Sequence, residues 1–278
     1  MSVLSAVFLG LVQGLTEFLP VSSSGHLSVL QNLFVMETSE NGRLFFDVML
    51  HVGTLVSICA VYRKGIAEMA LLLTGFIKNG GQPRYEMKKP VKAQRLIIML
   101  AASVLPLFLI IPVRKYTEKL FYSTVFIGIA LIITGIMLFV SDKFAPGKKN
   151  ERNMTVKDAL IVGLCQAVAV IPGLSRSGAT ISGGLACGFD REFSIRFSFL
   201  MSIPAVLGAT LITLVDAFKE GIEVSLIPVF LLGAVVAAGA GIAAIKLIER
   251  LSLRGHFGKF AYYCWIIGLL TVILTLIA

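Results

Sequence analysis

The chain has 278 residues, 56% of them hydrophobic and 15% charged, with a mean hydropathy of +0.88. Soluble domains carry about 45–50% apolar and about 25% charged residues, so this composition excludes an ordinary soluble enzyme, a disordered chain and a fibrous repeat. The net charge of +9 and pI near 9.5 suit nucleic acid or an anionic surface, but in a membrane protein they can report only cytoplasmic loops rich in Lys and Arg.

The first apolar region runs from 2 to 36 and is broken at 20–26 by a Pro-, Ser- and Gly-containing turn. It has no basic leader and carries Glu17 in its apolar run, so we expect it to stay in the mature protein. Apolar stretches follow at 44–62, 96–113 and 123–141, each near the length of about 20 residues that a ~30 Å hydrocarbon core requires. The segment 66–77 is too short to span and reads as an interfacial helix. A second interrupted region covers 157–188, broken at 172–178, and further spans lie at 193–215, 225–246 and 260–278. Each interrupted region reads as two short helices joined by a polar turn, which cannot face lipid. Cys59, Cys165, Cys187 and Cys264 have no metal-ligand spacing and read as small buried apolar side chains.

The loop charges set orientation. Loops 63–95, 142–158 and 246–259 hold eight, five and four of the 25 Lys and Arg, against one, three and one in 37–43, 114–122 and 216–223. The positive-inside rule places the first set in the cytoplasm. The interrupted regions must then each return to the side they entered from, as re-entrant hairpins from opposite faces, with both chain ends outside. Three cations remain, Arg176, Arg191 and Arg196, and only Arg176 falls in a hairpin turn. The charge therefore says little about nucleic acid, and no nucleic-acid partner is expected.

The two regions also match in sequence. At an offset of 153, Gly10, Leu11 and Gln13 align with Gly163, Leu164 and Gln166. In the same register Ser22, Ser24 and Gly25 align with Ser175, Ser177 and Gly178. The expected fold is an all-α polytopic membrane protein. It has six transmembrane helices and two re-entrant helical hairpins in an inverted-topology repeat. It forms one membrane domain, 1–278, with halves of about 1–141 and 155–278. Broken elements at such an axis commonly line a substrate site.

Polar residues at membrane depth mark function. The first hairpin supplies Gln13 and Glu17, one turn apart, then Ser22, Ser23, Ser24, Gly25 and His26. The second supplies Ser175, Arg176, Ser177 and Gly178. Turn N–H groups and the Arg176 fork suit phosphate oxygens, while an acid, an imidazole and hydroxyls suit phosphoryl-transfer hydrolysis. Glu17 is placed to hold a divalent cation or to activate a nucleophile. The plainer alternatives are serines that only cap helices, an Arg176 that only neutralises Glu17, a Gln13 that only bonds between helices and a core His26. Asp47 and His51, four apart, read as a pair that orients the site or as a helix-stabilising pair. No nucleophile-elbow, Walker or dinucleotide-binding motif stands in the right context.

The stretches Gln13–His26 and Pro172–Thr180 resemble the two signatures of the undecaprenyl-diphosphatase family, the bacitracin-resistance type of integral membrane phosphatase. The resemblance continues through Phe46–Leu55 and Phe197–Leu200. It implies hydrolysis of undecaprenyl diphosphate to undecaprenyl phosphate and inorganic phosphate, which recycles a lipid carrier for cell-wall polymers. It carries the family's acid, serine, histidine and arginine onto Glu17, Ser23, His26 and Arg176, and places Gln13 where the family has Glu or Gln. It also implies a divalent cation, Mg²⁺ or Ca²⁺, with Glu17 as ligand. The expected setting is a bacterial plasma membrane, with the site open to the extracytoplasmic side and a homodimer possible. The nucleophile is Ser23 or water. The second functional reading is a polyprenyl-phosphate transporter or flippase, and an ion channel is a weaker third.

Overall fold

The computed structural model describes residues 1–33, 40–78, 90–110, 112, 116–117, 120–144, 147–220, 224–253 and 255–277. Loop cations Arg84, Lys88, Lys89, Arg114, Lys115, Lys119 and Arg254, and the end of the first apolar region, lie outside the described residues. Eleven α-helices are described: α1 (Val3–Phe18), α2 (Ser23–Leu33), α3 (Glu40–Val61), α4 (Arg63–Lys78), α5 (Pro90–Val104), α6 (Thr124–Ser141), α7 (Val156–Val168), α8 (Arg176–Ala186), α9 (Arg191–Glu220), α10 (Ile227–Leu253) and α11 (Lys259–Ile277). A 3₁₀ turn, Leu105–Leu109, extends α5.

Among the described residues, six helical segments are long and apolar enough to cross a membrane: Gly42–Val61, Lys92–Leu109, Thr124–Ser141, Arg191–Ile212, Ile227–Leu253 and Lys259–Ile277. They match the six spans expected from hydropathy, so the chain is a multi-pass membrane protein. The other apolar helices are shorter. At 1.5 Å per residue, the 16 residues of α1 reach about 24 Å, and α2, α7 and α8 have 11, 13 and 11. None of these four crosses a ~30 Å core alone.

Local chemistry explains the helix ends at the turns. Leu19 is extended at ψ 143° because Pro20 follows it, and this stops α1. Ser22 takes a left-handed φ of 68°, and its Oγ accepts from Gly25 N–H at 3.2 Å, which starts α2. In the second turn Gly173 provides the positive φ, 89°, and Ser175 caps α8 by accepting from Gly178 N–H at 3.1 Å. A Thr155–Asp158 capping box starts α7.

Small residues bring the helices close. A Cβ on Gly14 would fall on the Ala237 backbone and 2.7 Å from the Ala240 Cβ, so α1 lies directly on α10. Gly53 of α3 meets Ala234, Gly163 of α7 meets the Ser103 carbonyl, and Gly128 and Gly268 face each other between α6 and α11. Gly14→Leu is therefore expected to cost roughly 1–3 kcal/mol through overpacking. A lowered Tm in detergent checks this, and an unchanged Tm would contradict the packing.

One buried apolar cluster ties the hairpins together. It includes Phe18 and Val21 of the first, Ile181 and Leu185 of the second, Leu138 of α6 and Phe199 of α9. Phe18 and Phe199 pack edge to face at 5.3 Å. Exposed Leu, Ile, Val and Phe side chains on α1, α6, α10 and α11 suit contact with lipid. The cysteines depart from expectation, since only Cys264 is buried while Cys165 and Cys187 are partly buried and Cys59 is exposed. All four are free. Cys264 Sγ lies 3.7 Å from the Pro20 carbonyl and so supports the first turn.

Candidate active site

The hairpin turns meet at their tips. A Cβ on Gly25 would lie 3.2 Å from Gly173 Cα, and Ser177 Oγ donates to the Leu19 carbonyl at 3.2 Å. Thr134 on α6 clamps the second turn, donating to the Gly173 carbonyl at 3.2 Å and accepting from Ser175 N–H at 3.1 Å. The hydroxyls repeat across the two turns: Ser22 and Ser24 Oγ are 3.4 Å apart, and Ser175 and Ser177 Oγ are 3.3 Å apart.

Glu17 is the hub. Its Oε1 accepts from Arg176 Nη2 at 2.6 Å, and its Oε2 accepts from Gln13 Nε2 at 3.0 Å and from Ser23 Oγ at 2.5 Å. Ser23 and Arg176 occupy equivalent positions in the two matching turns, and both reach this one carboxylate. The carboxylate is 7% exposed, so its charge survives only because of these partners. Two atoms stay open. Arg176 Nη1 and Gln13 Oε1 are buried without a hydrogen-bond partner. A buried unpaired donor and acceptor beside a paired carboxylate and a serine hydroxyl form a site suited to a ligand rich in oxygens.

Part of this set fits a hard cation. Gln13 Oε1, the Glu17 carboxylate and Ser23 Oγ are all oxygens, and Gln13 Oε1 has no protein partner. Among the described residues no group of three or more His, Cys, Asp or Glu gathers, and Glu17 is the carboxylate that Gln13, Ser23 and Arg176 share. Mg²⁺ commonly takes one or two carboxylates and fills its other positions with substrate phosphates and water.

The profile of the bacitracin resistance protein BacA family matches residues 6–270. The chain belongs to the BacA family. An undecaprenyl-diphosphatase of Methanosphaera stadtmanae is 39% identical over all of this chain and 99% of its own length. Those of Desulforapulum autotrophicum and Halothermothrix orenii are 39% and 36% identical, over 100% and 99% of this chain and 100% and 98% of their own.

In this BacA-family chain the two turns bring Gln13, Glu17, Ser23 and Arg176 into direct contact. Ser22 and Ser175 spend their Oγ atoms on helix caps, so their place at the site includes the plainer capping role. Arg176 does neutralise Glu17, but with only one of its two terminal nitrogens. His26 stands apart from Glu17. Its Nδ1–H donates to the Ser22 carbonyl at 2.8 Å, which leaves Nε2 as the acceptor for the Tyr263 hydroxyl, also at 2.8 Å.

Asp47 and His51 do not form a side-chain pair. His51 Nδ1–H donates to the Asp47 backbone carbonyl at 2.7 Å, and the Asp47 carboxylate accepts from Gln31 Nε2 at 2.9 Å. The helix offers His51 a carbonyl one turn back, and that carbonyl wins. Asp47 thereby holds α2 against α3.

Tyr263 escaped the sequence reading. It is 237 positions from His26, and nothing separates it from the lipid-facing aromatics of α11. Its ring lies parallel to the imidazole, 9° between planes, at 5.7 Å. Tyr263→Phe removes only the hydroxyl that orients Nε2 and is expected to lower kcat about tenfold or less with KM unchanged. Steady-state kinetics on purified protein checks this. A full-rate variant would remove Tyr263 from the site.

Proposed function

We propose that the protein hydrolyses undecaprenyl diphosphate to undecaprenyl phosphate and inorganic phosphate at the Glu17–Arg176–Ser23 centre. The observation that carries this reading is the single buried carboxylate, shared by a serine hydroxyl and by an arginine with one nitrogen still unpartnered. The names of full-length relatives support it. In this reading the two hairpins are re-entrant and enter from opposite faces, as halves of an inverted repeat. Their short helices, matching turns and the loop charges support that topology. The site opens to the extracytoplasmic side of a bacterial plasma membrane, and the prenyl tail stays in lipid. A homodimer is compatible with this reading.

Arg176 Nη1 takes a terminal phosphate oxygen while Nη2 stays on Glu17, so the arginine bridges acid and substrate. Glu17 Oε2 removes the Ser23 proton as Oγ attacks the terminal phosphorus. The bond from phosphorus to the bridging oxygen breaks, and undecaprenyl phosphate leaves with that oxygen. The leaving group is a phosphate, whose second pKa is about 6, so it needs no acid. Once the Tyr263 hydroxyl turns away from His26 Nε2, a water gives its proton to that nitrogen and attacks the phosphoserine. The bond from phosphorus to Oγ breaks, and Ser23 recovers its proton from Glu17. Ser24, Ser177 and the backbone N–H groups of Gly25 and Gly178 shape the phosphate cradle around this centre.

Gln13 Oε1, Glu17 and Ser23 would hold a divalent cation, Mg²⁺ or Ca²⁺. When bound, it neutralises phosphate oxygens and raises the electrophilicity of the phosphorus. Purified protein in detergent, given undecaprenyl diphosphate, is expected to release phosphate, to stop when chelator is added and to resume with excess Mg²⁺ or Ca²⁺. Chelator-insensitive release would remove the cation from the account. A transporter would release no phosphate under any of these conditions.

A further inference from the structure

A cleft of about 850 Å³ lies on the side of the bundle toward the Lys- and Arg-rich loops. Its walls come from the end of α3, the start of α4 and α5, the first half of α9 and the second half of α10. These are the ends that carry the Lys- and Arg-rich loops, so the cleft faces the cytoplasmic side of the topology. Its volume falls within the ~300–1,000 Å³ usual for small-molecule sites.

Five cations line it, Arg63, Lys64, Lys92, Arg196 and Lys246, against two carboxylates, Glu68 and Glu151. Glu151 is shared by Lys92 at 3.4 Å and Arg196 at 2.7 Å. Among the described residues, Arg63, Lys64 and Lys246 have no ion pair, and Arg196 Nε is buried without a partner. The lining also has an apolar part, with Met69, Leu96, Leu200 and Ile242. A solvated basic face would spread such charges over an open surface. Here four helices converge them on one concavity with an apolar wall. Val61 and Tyr62, on the same wall, pack against the cluster that contains Phe18, so apolar packing separates this cleft from Glu17.

We propose that this inner cleft binds a phosphate group carried by an anionic lipid, with cations on the headgroup and the chain against the apolar wall. Free phosphate shares the headgroup chemistry but has no use for the wall. The test uses the detergent-solubilised full chain and native mass spectrometry. The probes are dioleoyl phosphatidic acid, dioleoyl phosphatidylcholine and inorganic phosphate. Lys64→Gln/Lys246→Gln removes two cleft cations that lie in no ion pair. Arg250→Gln/Lys259→Gln removes two exposed inner-face charges that do not line the cleft.

Wild type is expected to prefer phosphatidic acid over phosphatidylcholine. The cleft pair should weaken phosphatidic acid binding roughly tenfold or more, and the control pair less than about twofold. Both variants should release phosphate from undecaprenyl diphosphate at the wild-type rate, which keeps this test separate from that of the outer site. Equal weakening by both pairs, or no preference for phosphatidic acid, would overturn the proposal. Inorganic phosphate binding that the cleft pair abolishes, without lipid selectivity, would overturn the lipid assignment in favour of a free-anion site.

Discussion

Glu17→Gln is expected to lower phosphate release by about 10³-fold or more, the scale on which a nucleophile loses its base and the phosphate loses its organised charges. The substitution keeps the shape and changes the charge. The carboxylate accepts three hydrogen bonds, from Arg176, Gln13 and Ser23. A glutamine must turn an NH₂ group toward one of these donors, and it cannot take the Ser23 proton. It also leaves a buried guanidinium without its counter-charge, and breaking such a pair costs about 3–5 kcal/mol. Part of the lost activity therefore reflects lost stability. A double variant, Glu17→Leu/Arg176→Met, separates the two effects. Replacing a buried ion pair with apolar residues of similar volume is often neutral for stability, so this variant should recover Tm while releasing no phosphate. Recovery of both would show that the pair is structural.

Arg176→Ala is expected to cost about 10³-fold in kcat, at the lower end of the range for a charge that stabilises a transferring phosphoryl group. Arg176→Lys is the sharper case. A lysine can hold the Glu17 charge, but as a point cation it cannot bridge carboxylate and phosphate in one plane. The lysine variant should keep Tm within a few degrees of wild type and still lose about 10²-fold or more in kcat. Near-normal turnover in either variant would show that the open Arg176 Nη1 does not serve the phosphate. Steady-state phosphate release alongside thermal unfolding measures both quantities.

The spans were legible because lipid imposes a length and an apolar composition on each of them, and hydropathy reads both directly. The turns were legible because Pro20, the Ser runs and Gly173 cannot continue a helix. Glu17 and Arg176 stood out as charges in apolar surroundings. What the sequence left open was which groups meet. Ser23 and Arg176 contact the same carboxylate only once the two tips touch at Gly25 and Gly173. Spacing suggested a side-chain pair between Asp47 and His51, but periodicity cannot tell a carboxylate from the backbone carbonyl of the same residue. Gln31, Thr134, Cys264 and Tyr263 take their roles from contacts 16 to 244 positions away. No local pattern encodes such contacts. The sequence match between the hairpins also hid an asymmetry. Gln166, the counterpart of Gln13, is buried with both amide atoms unpartnered, and Val170 stands where the first hairpin has Glu17. The acid belongs to one half and the arginine to the other.

The most direct measurement is phosphate release from undecaprenyl diphosphate by the purified chain and by Ser23→Ala, side by side under identical cation and detergent conditions. Steady release by the wild-type chain and a loss of about 10³-fold or more in the variant, with Tm preserved, are expected. No release by the wild-type chain, or full release by Ser23→Ala, would contradict this.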